Sequence, residues 1–359
     1  MASVGFVDYT GFPGLGGINM DQLHLSDMLG VPIQVATSTR LLLQGNSSYD
    51  FTGTGFTYDL NDQITGGTLT AIDIHQGGPH NSELVFAGLN LPIAPFAAWI
   101  LTDSTQTALT TMLAGNDTMQ GSDAGGVDGQ GHSSPGDLLR GYDGNDVIVA
   151  GSGPDTVFGG NGDDTIYGAS TFLASNPFET SYLRGDDGND SIVGAGGFDD
   201  INGNKGNDTI DGGAGGGDWL VGGQNNDLIT AHTGQNILYG NLGDDTLNAG
   251  SGGDLMRGGQ GNDILLGGAG NDWLSGDRGN DTLTGGAGAD TFHTFSGAGI
   301  DRVLDFHIAE GDKVQVDAGT TWTVTQVGSD TVIDMGGGDQ MILVGVQAST
   351  LTGGWIFTL

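Results

Sequence analysis

The chain of 359 residues contains no cysteine, which excludes disulfides and suits a protein that leaves the cell without oxidative folding. Basic residues are nearly as scarce, eight Lys and Arg against 44 Asp and Glu, for a formal net charge of −36. Such a chain repels phosphate backbones and anionic lipid, so neither nucleic acid nor membrane insertion is expected. No apolar run reaches the roughly 18 residues of a membrane span, and the richest, Leu91 to Leu101, is broken by Pro92 and Pro95. The first residues, MASVGFVDYTGFPG, lack the basic region, apolar core and cleavage site of a secretory signal. Catalytic signatures are missing as well. There is no H-E-x-x-H, and GHSSPG at Gly131 to Gly136 puts proline where G-x-S-x-G needs its second glycine.

Glycine, by contrast, occurs 71 times, and most of it falls in a nine-residue period. From Gly185 to His293 the chain reads GDDGNDSIV, GAGGFDDIN, GNKGNDTID, then after Gly212 GAGGGDWLV, GGQNNDLIT, AHTGQNILY, GNLGDDTLN, AGSGGDLMR, GGQGNDILL, GGAGNDWLS, GDRGNDTLT and GGAGADTFH. Upstream copies GYDGNDVIV, AGSGPDTVF and GGNGDDTIY cover Gly141 to Tyr167. A fixed short period of this kind predicts a solenoid. Position six is Asp in fourteen of the fifteen copies, the exception being Asn236, and position eight is apolar in all of them. Alternation around position eight predicts a short strand with one side chain inward, and the glycines before it allow a sharp turn. Two turns close an eighteen-residue coil with two rows of turns. One row holds Asp190, Asp208, Asp227, Asp245, Asp263 and Asp281; the other holds Asp199, Asp218, Asn236, Asp254, Asp272 and Asp290.

Coils about 4.8 Å apart stack these carboxylates with few basic residues between them, and the ladder needs a cation. Calcium, which takes oxygen from carboxylates and backbone carbonyls in flexible geometry, matches the turns. These nonapeptides resemble the RTX family, whose repeat GGxGxDxUx builds a calcium-binding parallel β-roll. The resemblance implies calcium ligation by the aspartates of both rows and by Asp117, Asp137, Asp146, Asp155, Asp164 and Asp301, with weaker sites on either side of Asn236. It also implies type I secretion through an uncleaved C-terminal signal that includes the final WIFTL.

The expected fold is all-β. Residues 1–112 form a small β-rich domain, with strand-like runs at Ile33 to Thr37, Thr39 to Gln44, Tyr49 to Thr52, Phe56 to Leu60, Thr68 to Ile74 and Glu83 to Ala87. Asp103 and Gln106 open a short helix that carries Ala108, Leu109, Met112 and Leu113 and covers the first coil. Residues 113–304 form the roll, interrupted near 121–136 and 168–184. The second interruption is a loop whose Phe172, Leu173 and Phe178 offer a contact surface as the alternative reading. Residues 305–359 form a β cap with strands at Lys313 to Val316, Thr321 to Val327, Thr331 to Met335 and Gln340 to Val344.

The functional expectation is a non-enzymatic, secreted calcium-binding protein that builds or decorates the cell exterior as matrix, surface layer, filament or adhesin. It self-assembles into a homo-oligomer or polymer through its terminal β domains, whose sheet edges can pair, and cell-surface polysaccharide is admitted as a partner. The alternative is a secreted hydrolase or carbohydrate-binding protein with an active N-terminal domain. Its candidate groups are Asp59, Asp62, Asp73 and Glu83 as paired carboxylates, Asp73, His75, His80 and Glu83 as a metal cluster, and Tyr49, Phe51, Phe56 and Tyr58 as ligand-stacking rings.

Overall fold

Each repeat turns through its glycines and then lays down a strand, and the strands stack in parallel one coil after the next. The computed structural model describes residues 3–8, 33–36, 40–44, 47–58, 64–76, 82–92, 115–120, 138–151, 153–169 and 180–358, with side chains from 115 onward. It is almost wholly β, with one short 3-10 turn at Ala348–Thr350 among the described residues. None of these residues belongs to a helix long and apolar enough to cross a membrane. Two compact units divide at Leu173 and Ala174.

In the first unit, Ile33–Ala36, Arg40–Gln44, Ser47–Tyr58, Ile64–Gln76 and Ser82–Pro92 pair in order as an antiparallel meander. The expected runs at Tyr49 and Phe56 merge into one bulged strand. A strand that the sequence pattern does not predict, Ser3–Asp8, pairs antiparallel with Ser82–Pro92 and parallel with Thr118–Gln120. The meander is therefore hydrogen-bonded into the first repeat strands, Thr118–Gln120, Val147–Val149 and Thr165–Tyr167. The expected helix at 103–113 and the loop side chains Phe172, Leu173 and Phe178 lie outside the described residues.

In the second unit the roll has two parallel sheets. One is built of longer strands, Tyr182–Asp187, Asp200–Lys205, Trp219–Gln224, Ile237–Leu242, Leu255–Gln260 and Trp273–Arg278, followed by Thr291–Thr294, Lys313–Val316 and Ile356–Thr358. The other begins with three-residue strands, Ser191–Val193, Thr209–Asp211, Leu228–Thr230 and Thr246–Asn248, and ends with Ile264–Ala269, Thr282–Ala287, Ile300–Val303 and Asp339–Leu343.

Position eight of each repeat fills the space between the sheets. Ile192, Ile201, Leu220, Ile229, Leu238, Leu247, Met256, Leu265, Leu274, Leu283 and Phe292 are all fully buried. At about 1.5–3 kcal/mol for each such side chain, this double column is the main apolar gain of the roll. The hairpin of Thr323–Val327 and Asp330–Gly336 and the strand Asp339–Leu343 close the end, as the sequence predicts. Phe306 and Trp355 meet edge-on there, with ring centroids 6.2 Å apart.

Candidate metal centre

The sharp turn that precedes each strand brings position six inward, over the first glycine of its own repeat. Every described aspartate of the expected set is buried: Asp117, Asp146, Asp155, Asp164, Asp190, Asp199, Asp208, Asp218, Asp227, Asp245, Asp254, Asp263, Asp272, Asp281, Asp290 and Asp301. Asp137 lies outside the described residues.

These carboxylates form two ladders. The backbone N–H of Asp190 donates to Oδ1 of Asp208, Asp208 to Asp227, Asp227 to Asp245, Asp245 to Asp263 and Asp263 to Asp281, each at 2.8 Å. Asp281 continues the line to Asp301 at 3.3 Å. The second row runs from Asp199 through Asp218, Asn236, Asp254 and Asp272 to Asp290 in the same way. In the first unit Asp117 and Asp146 make the equivalent bonds to the next aspartate of their row.

One carboxylate oxygen is thereby used; at Asp199 the other accepts the Ala195 N–H at 2.8 Å, but along most of the rows it is stranded. Oδ2 of Asp146, Asp208, Asp218, Asp227, Asp245, Asp254, Asp263, Asp272, Asp281, Asp290 and Asp301 is buried without a hydrogen-bond donor. Burial is the first cause of a raised pKa at each of them, offset in part by the N–H from the preceding coil. Asp146 and Asp227 are pushed up to about 8, Asp263 to about 7, and Asp208, Asp218, Asp245, Asp272 and Asp290 to about 6. Asp281 and Asp301 move upward together. A buried carboxylate with an unsatisfied oxygen demands a proton or a cation.

The surrounding atoms fit a cation. A Cβ on Gly267 would sit 2.5 Å from Oδ2 of Asp272 and 2.6 Å from the carbonyl oxygen of Gly285 in the next coil. Gly240 stands in the same relation to Asp245 and Gly258, and Gly185 to Asp190 and Gly203. Each cradle is lined by a carboxylate and a main-chain carbonyl, hard oxygen donors that suit calcium rather than a soft transition metal. Among the described residues no three His, Cys, Asp or Glu side chains come together as a compact centre. The carboxylates are strung along the roll, and carbonyls complete each donor set.

A family model for the RTX calcium-binding nonapeptide repeat matches residues 140–170 and, in overlapping windows, 184–303. The repeat region belongs to the RTX family. Its roll is similar to a subunit of the mannuronan C5-epimerase of Azotobacter vinelandii, 30% identical with a TM-score of 0.27, over 32% of this chain and 77% of that one. The extracellular lipase LipA of Serratia marcescens is 20% identical with a TM-score of 0.24, over 60% of this chain and 40% of its own. No curated protein matches the chain.

Three features of the RTX roll do not follow from the repeat pattern. First, Asn236 replaces more than a ligand: its amide Nδ2 donates to Oδ1 of Asp254 at 3.1 Å, placing a hydrogen bond from a neutral donor within the carboxylate row. Second, position five builds an outer ladder. The N–H of Asn207 donates to Asn189 Oδ1 at 2.8 Å, Asn226 to Asn207 and Asp244 to Asn226 at 2.9 Å, and Asn262 to Asp244 at 2.7 Å. The recurring N-D pair carries that signal. Third, the second row ends at Asp312, 22 residues beyond Asp290, whose Oδ1 accepts from Asp290 N–H at 3.0 Å and Oδ2 from His307 N–H at 2.7 Å. The broken period hides it.

In the N-terminal meander His75 lies opposite Glu83, and Asp73 opposite Val85 and Asp50, in strand register. The candidate rings Tyr49, Phe51, Phe56 and Tyr58 all fall on the strand Ser47–Tyr58, and the remaining candidates of that domain, His80, Asp59 and Asp62, lie outside the described residues.

Proposed function

We propose that this RTX protein is exported unfolded, folds outside the cell when calcium fills its turns, and serves there as a non-catalytic structural component, as matrix, surface layer, filament or adhesin. The observation that carries the reading is the pair of rows of buried carboxylates, eleven of which hold one oxygen without a hydrogen-bond donor. Bound calcium supplies the positive charge that such a row needs. The aspartates would hold it with the glycine carbonyls of adjacent coils, and the outer Asn ladder keeps those coils in register. Where calcium is scarce the carboxylates repel one another and the chain stays open; where it is abundant each ion binds only the folded form and adds stability.

Self-assembly through the end domains is part of the proposal. The hairpin strand Thr323–Val327 is exposed along its whole length, and residues 319–329 carry no charge in a chain of −36. Such an edge is open to strand pairing. The test is a calcium titration followed by circular dichroism and sedimentation on the same samples, with electron microscopy at saturation. Cooperative folding followed by ordered assemblies supports the reading. Folding to a stable monomer removes assembly and turns attention to the N-terminal domain as a binding or hydrolytic unit.

A further inference from the structure

The outward face of the longer-stranded sheet carries a groove of about 920 Å³, lined by outward-facing side chains of the same turns whose position-six aspartates point inward. It crosses five successive strands, from Asn202 and Asn204 to Asp277 and Arg278, and ends at Phe295. Strand register arranges its lining in columns at one-coil intervals. Asn204, Gly223, Asn241, Gly259 and Asp277 lie directly opposite one another, and beside them run Gln224, Leu242, Gln260 and Arg278. Glycines leave room along the floor, and amides at successive coils offer both donors and acceptors.

The charge of the groove is anomalous. Only eight basic residues occur in the whole chain, and two of them, Arg257 and Arg278, line this groove. Arg278 is exposed, and its guanidinium has no ion-pair or hydrogen-bond partner among the described residues. Arg257 is held by its Nε, 2.8 Å from Asp277 Oδ2, which leaves the terminal nitrogens of the fork available. Asp277 is fixed in turn by Ser275 Oγ at 2.7 Å, and Ser275 contacts His293 Nδ1 at 3.0 Å. His293 stacks between Trp273 and Phe295, with ring centroids at 5.0 and 5.9 Å. The end of the groove is thus a preorganised site with two guanidinium groups, aromatic faces and a buried polar support.

We propose that this groove binds a linear anionic glycan lengthwise along the roll. Carboxylate or sulfate groups engage the guanidinium forks of Arg257 and Arg278, hydroxyls exchange hydrogen bonds with the amide columns, and the rings of Tyr239 and Phe295 receive the apolar sugar faces. A periodic polymer suits a groove whose donors recur coil by coil. Nucleic acid fits less well, because its bases would find only Tyr239 and Phe295 to stack on along the groove. The site requires a folded roll and is independent of assembly.

The test is isothermal titration calorimetry on the calcium-loaded full chain with a linear galacturonate hexamer. A malto-hexamer serves as the neutral probe and a single-stranded DNA hexamer as the phosphate probe, with circular dichroism recorded on each sample. The expected result is saturable, salt-sensitive binding of the galacturonate alone, weakened about tenfold or more in Arg278→Gln through loss of a charged hydrogen bond, with an unchanged spectrum. Arg278→Lys should recover part of the affinity. A folded roll that does not bind galacturonate overturns the groove alone, as does equal binding by Arg278→Gln and Arg257→Gln. A neutral or DNA hexamer that binds as tightly overturns the glycan assignment. A chain that stays unfolded in calcium overturns the calcium reading and the groove with it.

Discussion

The repeats and the C-terminal cap both set carboxylates against backbone N–H groups, buried throughout the repeats and half-buried at Asp305 and Asp339 of the cap, yet they complete them differently. In the roll, Asp263 accepts the N–H of Asp245 through Oδ1 and leaves Oδ2 without a donor. In the cap region, Asp305 accepts from Gly285 and Gly286 at 3.0 and 2.8 Å, Asp312 from Asp290 and His307, and Asp339 from Gly297 and Gly299 at 2.7 and 3.3 Å. All six of these oxygens are satisfied by the chain itself. The cap also has a core of its own, with Phe306, Val332, Ile333, Met335, Met341, Leu343 and Trp355 buried. The cap carboxylates are therefore completed by N–H groups of the chain, five of the six from repeat-region residues 285–299, whereas the repeats leave an oxygen for an outside charge.

The strongest way to break this contrast is to remove calcium. At pH 7.5, chelation should abolish most β signal from residues 180–295 while the cap keeps its fold, because only the repeats hold stranded carboxylate oxygens. Hydrogen exchange read by mass spectrometry checks this directly. Uniform loss of protection across cap and repeats would show that the cap has no independent stability.

Protons should replace calcium in part. Burial raises Asp227 to about 8, Asp263 to about 7 and several neighbours to about 6, from an ordinary value of 3.8. Between pH 3.8 and those values the folded roll holds more protons than the unfolded chain. Its stability therefore falls as pH rises through that window and recovers as pH drops. The chelated protein should regain β structure on acidification from pH 8 to about 5, and circular dichroism against pH with chelator present tests it. A chelated chain that loses structure steadily over that range would contradict the raised values.

Much of this site is legible in the sequence. A nine-residue period with Asp at position six and an apolar residue at position eight dictates the turn, the strand and the inward column, because each repeat meets only its own neighbours. The two rows predicted from spacing are the two hydrogen-bonded ladders. What escapes the period is whatever departs from it or depends on a non-repetitive partner. Asp312 follows an insertion of four residues, Ser3–Asp8 joins a strand more than one hundred residues away, and the Arg257 to His293 network joins position-nine side chains, which the motif leaves free, through Asp277 at position two, where the motif has glycine.

Single positions sharpen the contrast at smaller scale. Asn236 puts a neutral amide into its row, and its Nδ2 gives Asp254 Oδ1 a second donor beside the backbone N–H while Asp254 Oδ2 stays without one. Asn236→Asp should raise the number of ions bound at saturation and make folding more calcium-dependent. Asp263→Asn should do the reverse, lowering both the bound-ion count and the steepness of the folding transition. Equilibrium dialysis and a calcium titration of each variant give the sign. An unchanged ion count in both would remove position six from the donor set.

The smallest effect belongs to the outer ladder, which needs no cation. Asn262 Oδ1 accepts from the N–H of Asn280 at 3.1 Å and from its side-chain amide at 3.3 Å, all at an exposed position. Removing that acceptor in Asn262→Ala exchanges protein hydrogen bonds for water, so the loss should be about 0.5–1.5 kcal/mol. The distinction lies in its calcium dependence. A ladder that only registers the coils lowers stability by the same amount at every saturating calcium concentration, with no change in ions bound, whereas a residue that holds the ion shifts the calcium midpoint. Urea unfolding of the variant at two saturating calcium levels separates these cases, and a loss that shrinks as calcium rises would move position five from the scaffold into the metal site.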